Sequence, residues 1–162
     1  MKTFARIVLC CSIGLFLVSL WQPAFSVERG TRIDTWDSVL CLCIGWLGLL
    51  EGKAGVTWIA NPLLLMAWIT FWEPRASFIF SIPAAVASTS FLLCTQITAN
   101  EAGHVGTICQ YHLGYWLWLS STIVMLAGNG IQIIVLYGKP RPTAGQPNKS
   151  EPQPKVAHFE SA

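Results

Sequence analysis

Polar and apolar positions along the chain sort into four long apolar runs, 7–21, 56–72, 78–94 and 115–137, divided by shorter stretches that hold most of the charge. A helix needs about 20 mostly apolar residues to cross a hydrocarbon core of roughly 30 Å, and each run reaches or approaches that length once its small flanking residues are included. The pattern predicts an all-α fold: a polytopic transmembrane helix bundle. A further segment, 36–55, is ambiguous, because its apolar core at 39–50 covers about 18 Å at 1.5 Å per residue and falls short of a crossing. Beyond 138 the chain changes character. Pro140, Pro142, Pro147, Pro152 and Pro154 stand among polar residues, which predicts a disordered tail over 139–162 and leaves 1–138 as one transmembrane helical domain.

The placement of Lys and Arg decides how 36–55 is counted. If it does not cross, Lys2, Arg6, Arg75, Lys139, Arg141, Lys149 and Lys155 share one side and Arg29, Arg32 and Lys53 the other. If it crosses, every later loop inverts and the majority moves to the outer side. Lys and Arg are retained in the cytoplasm during insertion, so the first arrangement is preferred. It gives four crossings, one short re-entrant or interfacial helix on the outer side, and both termini in the cytoplasm. Five crossings, with Glu51-Gly52-Lys53 as a tight hairpin, are the alternative. Aromatic residues agree in part: Trp21, Trp36, Trp72, Tyr115, Trp116 and Tyr137 fall at segment ends, where amphipathic rings sit among headgroups. Trp46, Trp58 and Trp68 do not fit that belt and are read as filling between helices.

Composition supports a membrane protein, with 53% hydrophobic and 11% charged residues and a mean hydropathy of +0.52. The net charge of +2, spread over segment ends, argues against nucleic acid as a partner. At the N-terminus, Lys2 and Arg6 precede an apolar stretch ending in Pro23-Ala24-Phe25-Ser26, a pattern that signal peptides share. Uncleaved, the stretch is the first helix, and the rest of the topology is the same either way. Leu9 stands before Cys10 where a lipoprotein signal has a small residue, which disfavours a lipid anchor.

Polar residues within the runs are the candidates for function, because hydrocarbon makes each of them costly unless it finds a partner. Asn61-Pro62 predicts a structural kink: Pro62 frees the carbonyl of Trp58, and Asn61 suits a helix start. Ser81, Ala84, Ala85 and Ser88 form a small-residue face that admits a close neighbour. Asn129 and Gln132, three apart on one face, must point into the bundle or across an oligomer interface. Glu51, Lys53 and Glu73 lie at segment ends, which disfavours a pump or proton relay. His104, His112 and His158 fall in loops or the tail, and Cys109-x-x-His112 supplies only half a metal site. No catalytic residue, cofactor or metal is expected. No phosphate-binding loop, serine elbow or zinc-protease motif occurs.

The run 45–50 (GWLGLL) with 58–64 (WIANPLL), together with 114–119 (GYWLWL), resembles a motif of small uncharacterised bacterial membrane proteins over most of 1–138. The resemblance implies a multi-pass protein of the bacterial inner membrane and carries no activity. The expected function is accordingly non-enzymatic, exerted through helix or loop contacts with the bilayer, a membrane partner or a second copy. One alternative comes from the cysteines, whose arrangement is similar to the quinone-coupled disulfide-forming membrane proteins. That similarity implies Cys41 and Cys43 as the quinone-proximal pair and Cys94 with Cys109 as the shuttle pair. The family uses Cys-x-x-Cys, whereas Cys41-Leu42-Cys43 is one residue tighter. A second alternative is an immunity-type protein that guards a membrane against a pore-forming toxin.

Overall fold

The computed structural model describes residues 2–50, 53–98 and 105–138. The proposed tail at 139–162, the Glu51-Gly52 turn, His104 and His158 lie outside the described residues.

The apolar runs form helices as their length demands. Helix α1 (Lys2–Leu20) opens the chain, α5 (Pro74–Ser90) follows Glu73 with Pro74 in its first turn, and α6 (Leu113–Tyr137) closes the described part. These three helices, with α5 extended to Leu93, are long and apolar enough to cross a membrane. The second run is less regular. Helix α2 (Ser38–Ile44) tightens into a 3-10 segment, Gly45–Leu50, and a bend of 120° then leads into α3 (Lys53–Val56), a 3-10 turn at Thr57–Ile59 and α4 (Ala60–Ile69). Counted as one span, the bent pair brings the candidate crossings to four.

The expectation of an all-α bundle is overturned. The fold is mixed α/β, with a four-stranded antiparallel sheet in the order β2-β1-β4-β3 formed by segments read from the sequence as loops. Strand β1 (Pro23–Arg29) and strand β2 (Arg32–Asp37) make a hairpin around Gly30-Thr31. Gly30 has a φ of 59°, the left-handed geometry that a tight two-residue hairpin demands of its first position. The alternation is plain in hindsight. Phe25 and Val27 pair with Trp36 and Asp34 on the face toward the helices, while Ser26 and Glu28 alternate to the other face. Strands β3 (Gln96–Thr98) and β4 (Val105–Tyr111) form the second hairpin, and β4 pairs with β1 at the centre. The segments between α1 and α2 and between α5 and α6 are thus stitched into one sheet.

That sheet sits on one end of the bundle. Phe25 and Val27 from β1 share a core with Phe91, Tyr115 and Leu119 from the helices, and burying Phe25 alone contributes about 2 kcal/mol. The far end gathers α1's start, the α4–α5 turn and α6's finish: the Arg6 guanidinium lies 5.9 Å over Trp72, and that of Arg75 lies 4.1 Å over Tyr137. Lys2, Arg6 and Arg75 therefore occupy the end opposite Arg29 and Arg32.

Between the ends, small and hydroxylated residues hold the helices together. Ser12 donates to the Ser121 carbonyl (2.9 Å) and accepts from the Trp68 indole (2.9 Å), joining α1, α6 and α4. Ser81, Ala84, Ala85 and Ser88 are all buried on α5, and Gly128 on α6 lies against Val8 on α1. The Asn129 amide donates to Ser77 (2.7 Å) and Ser81 (2.9 Å), both on α5. Gln132 is buried one turn on, beside a small groove shared with Phe4, Ile131 and Val135.

Candidate functional site

Where the sheet meets the bundle, the chain encloses a cavity of about 710 Å³. Its roof is the inner face of β1 and β2 with Phe25 and Trp36, which stack at 5.9 Å. Its walls are α2 and the 3-10 segment after it, α3 and the turn into α4, the end of α5, and the first turns of α6. The size falls within the range of pockets that hold small molecules.

The resemblance motif builds one wall. Gly45 lies flat against the Trp58 indole, and that indole donates to the Leu42 carbonyl at 3.0 Å. Gly48 and Gly55 cross backbone against backbone, and a side chain on Gly55 would run into the Gly48 carbonyl. The kink residues lie at the foot of this wall. Asn61 accepts from the Trp118 indole (2.9 Å), so its side chain ties α4 to α6, and Pro62 sits in the first turn of α4, where no helical donor is required. The sequence singled out these residues as a kink and gave no sign that Trp118 was their partner.

Several polar hydrogens on the wall are already used. Thr57 donates to the Ala54 carbonyl, Tyr115 to the Ser88 carbonyl and Ser19 to the Phe16 carbonyl. Ser38 differs: it lines the cavity, is 9% exposed, and its hydroxyl has no hydrogen-bond partner among the described residues. Sequence reasoning missed Ser38, because a serine at a helix start reads as ordinary capping. Here the residue before it, Asp37, occupies the cap position, with no side-chain capping bond.

No disulfide joins the pairs that the disulfide-forming resemblance implies. Cys41 and Cys43 stand two apart on α2, a spacing that turns their side chains away from each other; Cys41 packs toward the sheet core and Cys43 is exposed. Cys94 packs on the same core from below β3, and Cys109 is exposed on β4 with its thiol toward the Ser26 carbonyl (3.4 Å).

Two further clusters complete the sheet end of the molecule. Ser26 bonds to His112 Nε2 (2.7 Å) and to Thr35 Oγ1 (3.0 Å), linking β2, β1 and the residue before α6. Ser26 is 4% exposed, so this serine–histidine contact is a strut closed to any substrate. Among the described residues no group of three or more His, Cys, Asp or Glu is placed to hold a metal ion. Tyr111 on β4 donates from its phenol to the carbonyls of Phe91 (3.1 Å) and Cys94 (3.3 Å), and burial, then the nearby Cys94, push its pKa above the usual tyrosine value. On the other side of the sheet, β2 is an edge strand. Residues flanking a two-residue turn exchange hydrogen bonds, so Arg32 and Asp34 bond inward to β1 and the backbone groups of Ile33 and Thr35 point outward. Ile33 is 68% exposed.

Comparison of the chain with protein-family models, curated proteins and solved structures gave no match.

Proposed function

We propose that this is a small, non-enzymatic protein of a bacterial inner membrane, with four crossings and both termini cytoplasmic, that acts by contact, and that the contact is with a second copy through β2. The gathering of Lys2, Arg6 and Arg75 at the end away from the sheet supports the orientation. The observation that carries the self-association is the β2 edge. A two-fold antiparallel pairing centred on Ile33 sets its outward backbone groups against those of the other Ile33, and sets each Arg32 opposite the other copy's Asp34. Asp34 also lies 3.5 Å from Arg29, so the new pairing would complete a charge cluster already begun within one chain.

Cysteine cross-linking in membranes tests it. Ile33→Cys, in a background with Cys43 and Cys109 replaced by Ser, should give a covalent dimer, because facing Cα atoms in such a pair lie about 5.5 Å apart, within disulfide reach. Glu28→Cys, on the interior strand, should not. Arg32→Asp should abolish the dimer, and adding Asp34→Arg should restore it. Equal cross-linking of Ile33→Cys and Glu28→Cys, or no rescue by the double exchange, would sink the reading.

A further inference from the structure

We propose that the cavity beneath the sheet is a binding site for an uncharged lipophile of the bilayer: a mainly apolar molecule that packs on the aromatic lining and bears an oxygen that accepts a hydrogen bond from the Asn61 amide. The described lining is uncharged: among the described residues no Asp, Glu, Lys, Arg or His contributes to it, whereas Phe16, Phe25, Trp36, Trp58, Phe91 and Trp118 do. An anionic or cationic headgroup placed there would be stripped of water with no counter-charge, at a prohibitive cost. An apolar body meets aromatic faces instead.

The lining also offers a polar anchor. Asn61 lines the cavity, spends its carbonyl on Trp118 and makes no hydrogen bond through its amide nitrogen among the described residues. It thus offers a donor to a ligand oxygen, such as a carbonyl, ester or hydroxyl. Trp36, Thr95 and Gln96 also line the cavity and make no side-chain hydrogen bond among the described residues, whereas the Ser38 hydroxyl is closed off against Gly114. Access is from the side. Ile44, Leu47 and Leu93 line the cavity and are also exposed on the surface, Leu93 at 83%, so the wall is continuous with surface that the bilayer wets. A ligand tail can leave by the same route into lipid. The inference is independent of pairing at β2, since none of Arg32, Ile33 and Asp34 lines the cavity.

Photolabelling of the full chain in phosphatidylcholine nanodiscs tests the site. The probe is a long-chain 1-monoacylglycerol carrying a diazirine and an alkyne, set against alkyl sulfonate and alkyl trimethylammonium congeners of the same chain. The neutral probe should label peptides covering 36–61 and 91–97 saturably, and excess unlabelled monoacylglycerol should remove that label; the charged congeners should label those peptides at least about tenfold less. Asn61→Asp, which keeps an acceptor for Trp118 and loses the amide hydrogens, should lower the labelling at sub-saturating probe about fivefold, the loss of one hydrogen bond. Cys41→Trp should fill the cavity and abolish labelling, and Leu93→Trp, at an exposed position that tolerates bulk, should block the opening even if the other variants fail to fold. Equal labelling by a charged congener, label confined to the lipid-facing residues of α1, α5 and α6, or labelling unchanged in both Asn61→Asp and Leu93→Trp would overturn the proposal.

Discussion

Ser12 and Ser38 are both buried serines in apolar surroundings, and they represent two regions built on opposite terms. Ser12, fully buried in the bundle, accepts from one helix and donates to another. Ser77, Ser81, Ser88 and Thr122 follow the same rule, each spending its hydroxyl on a carbonyl or a neighbouring side chain. Ser38, at the junction of sheet and bundle, spends nothing. The bundle spends most of its hydroxyls this way; the Asn129 carbonyl oxygen has no partner, and buried Gln132 makes no side-chain hydrogen bond among the described residues. The junction has left donors open around about 710 Å³. Satisfied polar groups fix helices to one another, and unsatisfied ones beside space are where a further molecule gains.

The largest effect should come from the glycine crossing. At Gly55 a new Cβ meets backbone, the Gly48 carbonyl, which cannot move without unwinding the wall. Gly55→Ala should therefore cost about 3 kcal/mol or more and lower accumulation in the membrane sharply. At Gly128 the same methyl meets only the Val8 side chain, which can shift, so Gly128→Ala should cost about 1–2 kcal/mol. Thermal unfolding in detergent ranks the two. A larger loss at Gly128 would mean that the bundle, not the junction, is the tighter region.

The serines give the next contrast. Ser12→Ala leaves the Trp68 N–H without an acceptor in the bundle and should cost about 1 kcal/mol. Ser38→Ala removes a hydroxyl that has no partner to lose, so apparent stability without ligand should stay the same or rise by up to about 1 kcal/mol. A comparable loss at both positions would erase the distinction between closed bundle and open junction.

How far the sequence could reach follows from the same division. The long apolar helices were legible because length and continuous apolarity are what hydrocarbon demands, and the shared face of Asn129 and Gln132 was legible because three-residue spacing fixes a helical face whatever lies opposite. The sheet was not. Its strands are three to seven residues long and sit between hydropathy runs, where Phe25-Ser26-Val27-Glu28 reads as a polar break until β4 supplies its partner from more than 75 residues away. The cavity was hidden for a stronger reason. No local pattern records space, and its wall is assembled from β1, β2 and most of the helices. Asn61 was found as a kink residue, yet the Trp118 indole that it accepts from is 57 positions on, beyond what spacing can reveal.

The smallest effect expected is one of pH, and it falls at the seam between the two hairpins and the bundle. Tyr111 donates its phenol hydrogen to the Phe91 and Cys94 carbonyls, which an ionised oxygen could not do, and burial first, with Cys94 second, raises its pKa above 10.0. A neutral group favoured by the fold contributes stability that is fully present below the unfolded pKa, near 10, and is lost as pH rises through the higher folded value. The wild-type protein should therefore hold its unfolding temperature to about pH 9.5 and lose it above about pH 10. Tyr111→Phe should start slightly less stable at neutral pH, having lost the two carbonyl contacts, and should show a shallower decline on the alkaline side. Parallel declines in the two proteins would show that Tyr111 does not report on the seam, and that the sheet is held to the bundle by its apolar core around Phe25 and Phe91 alone.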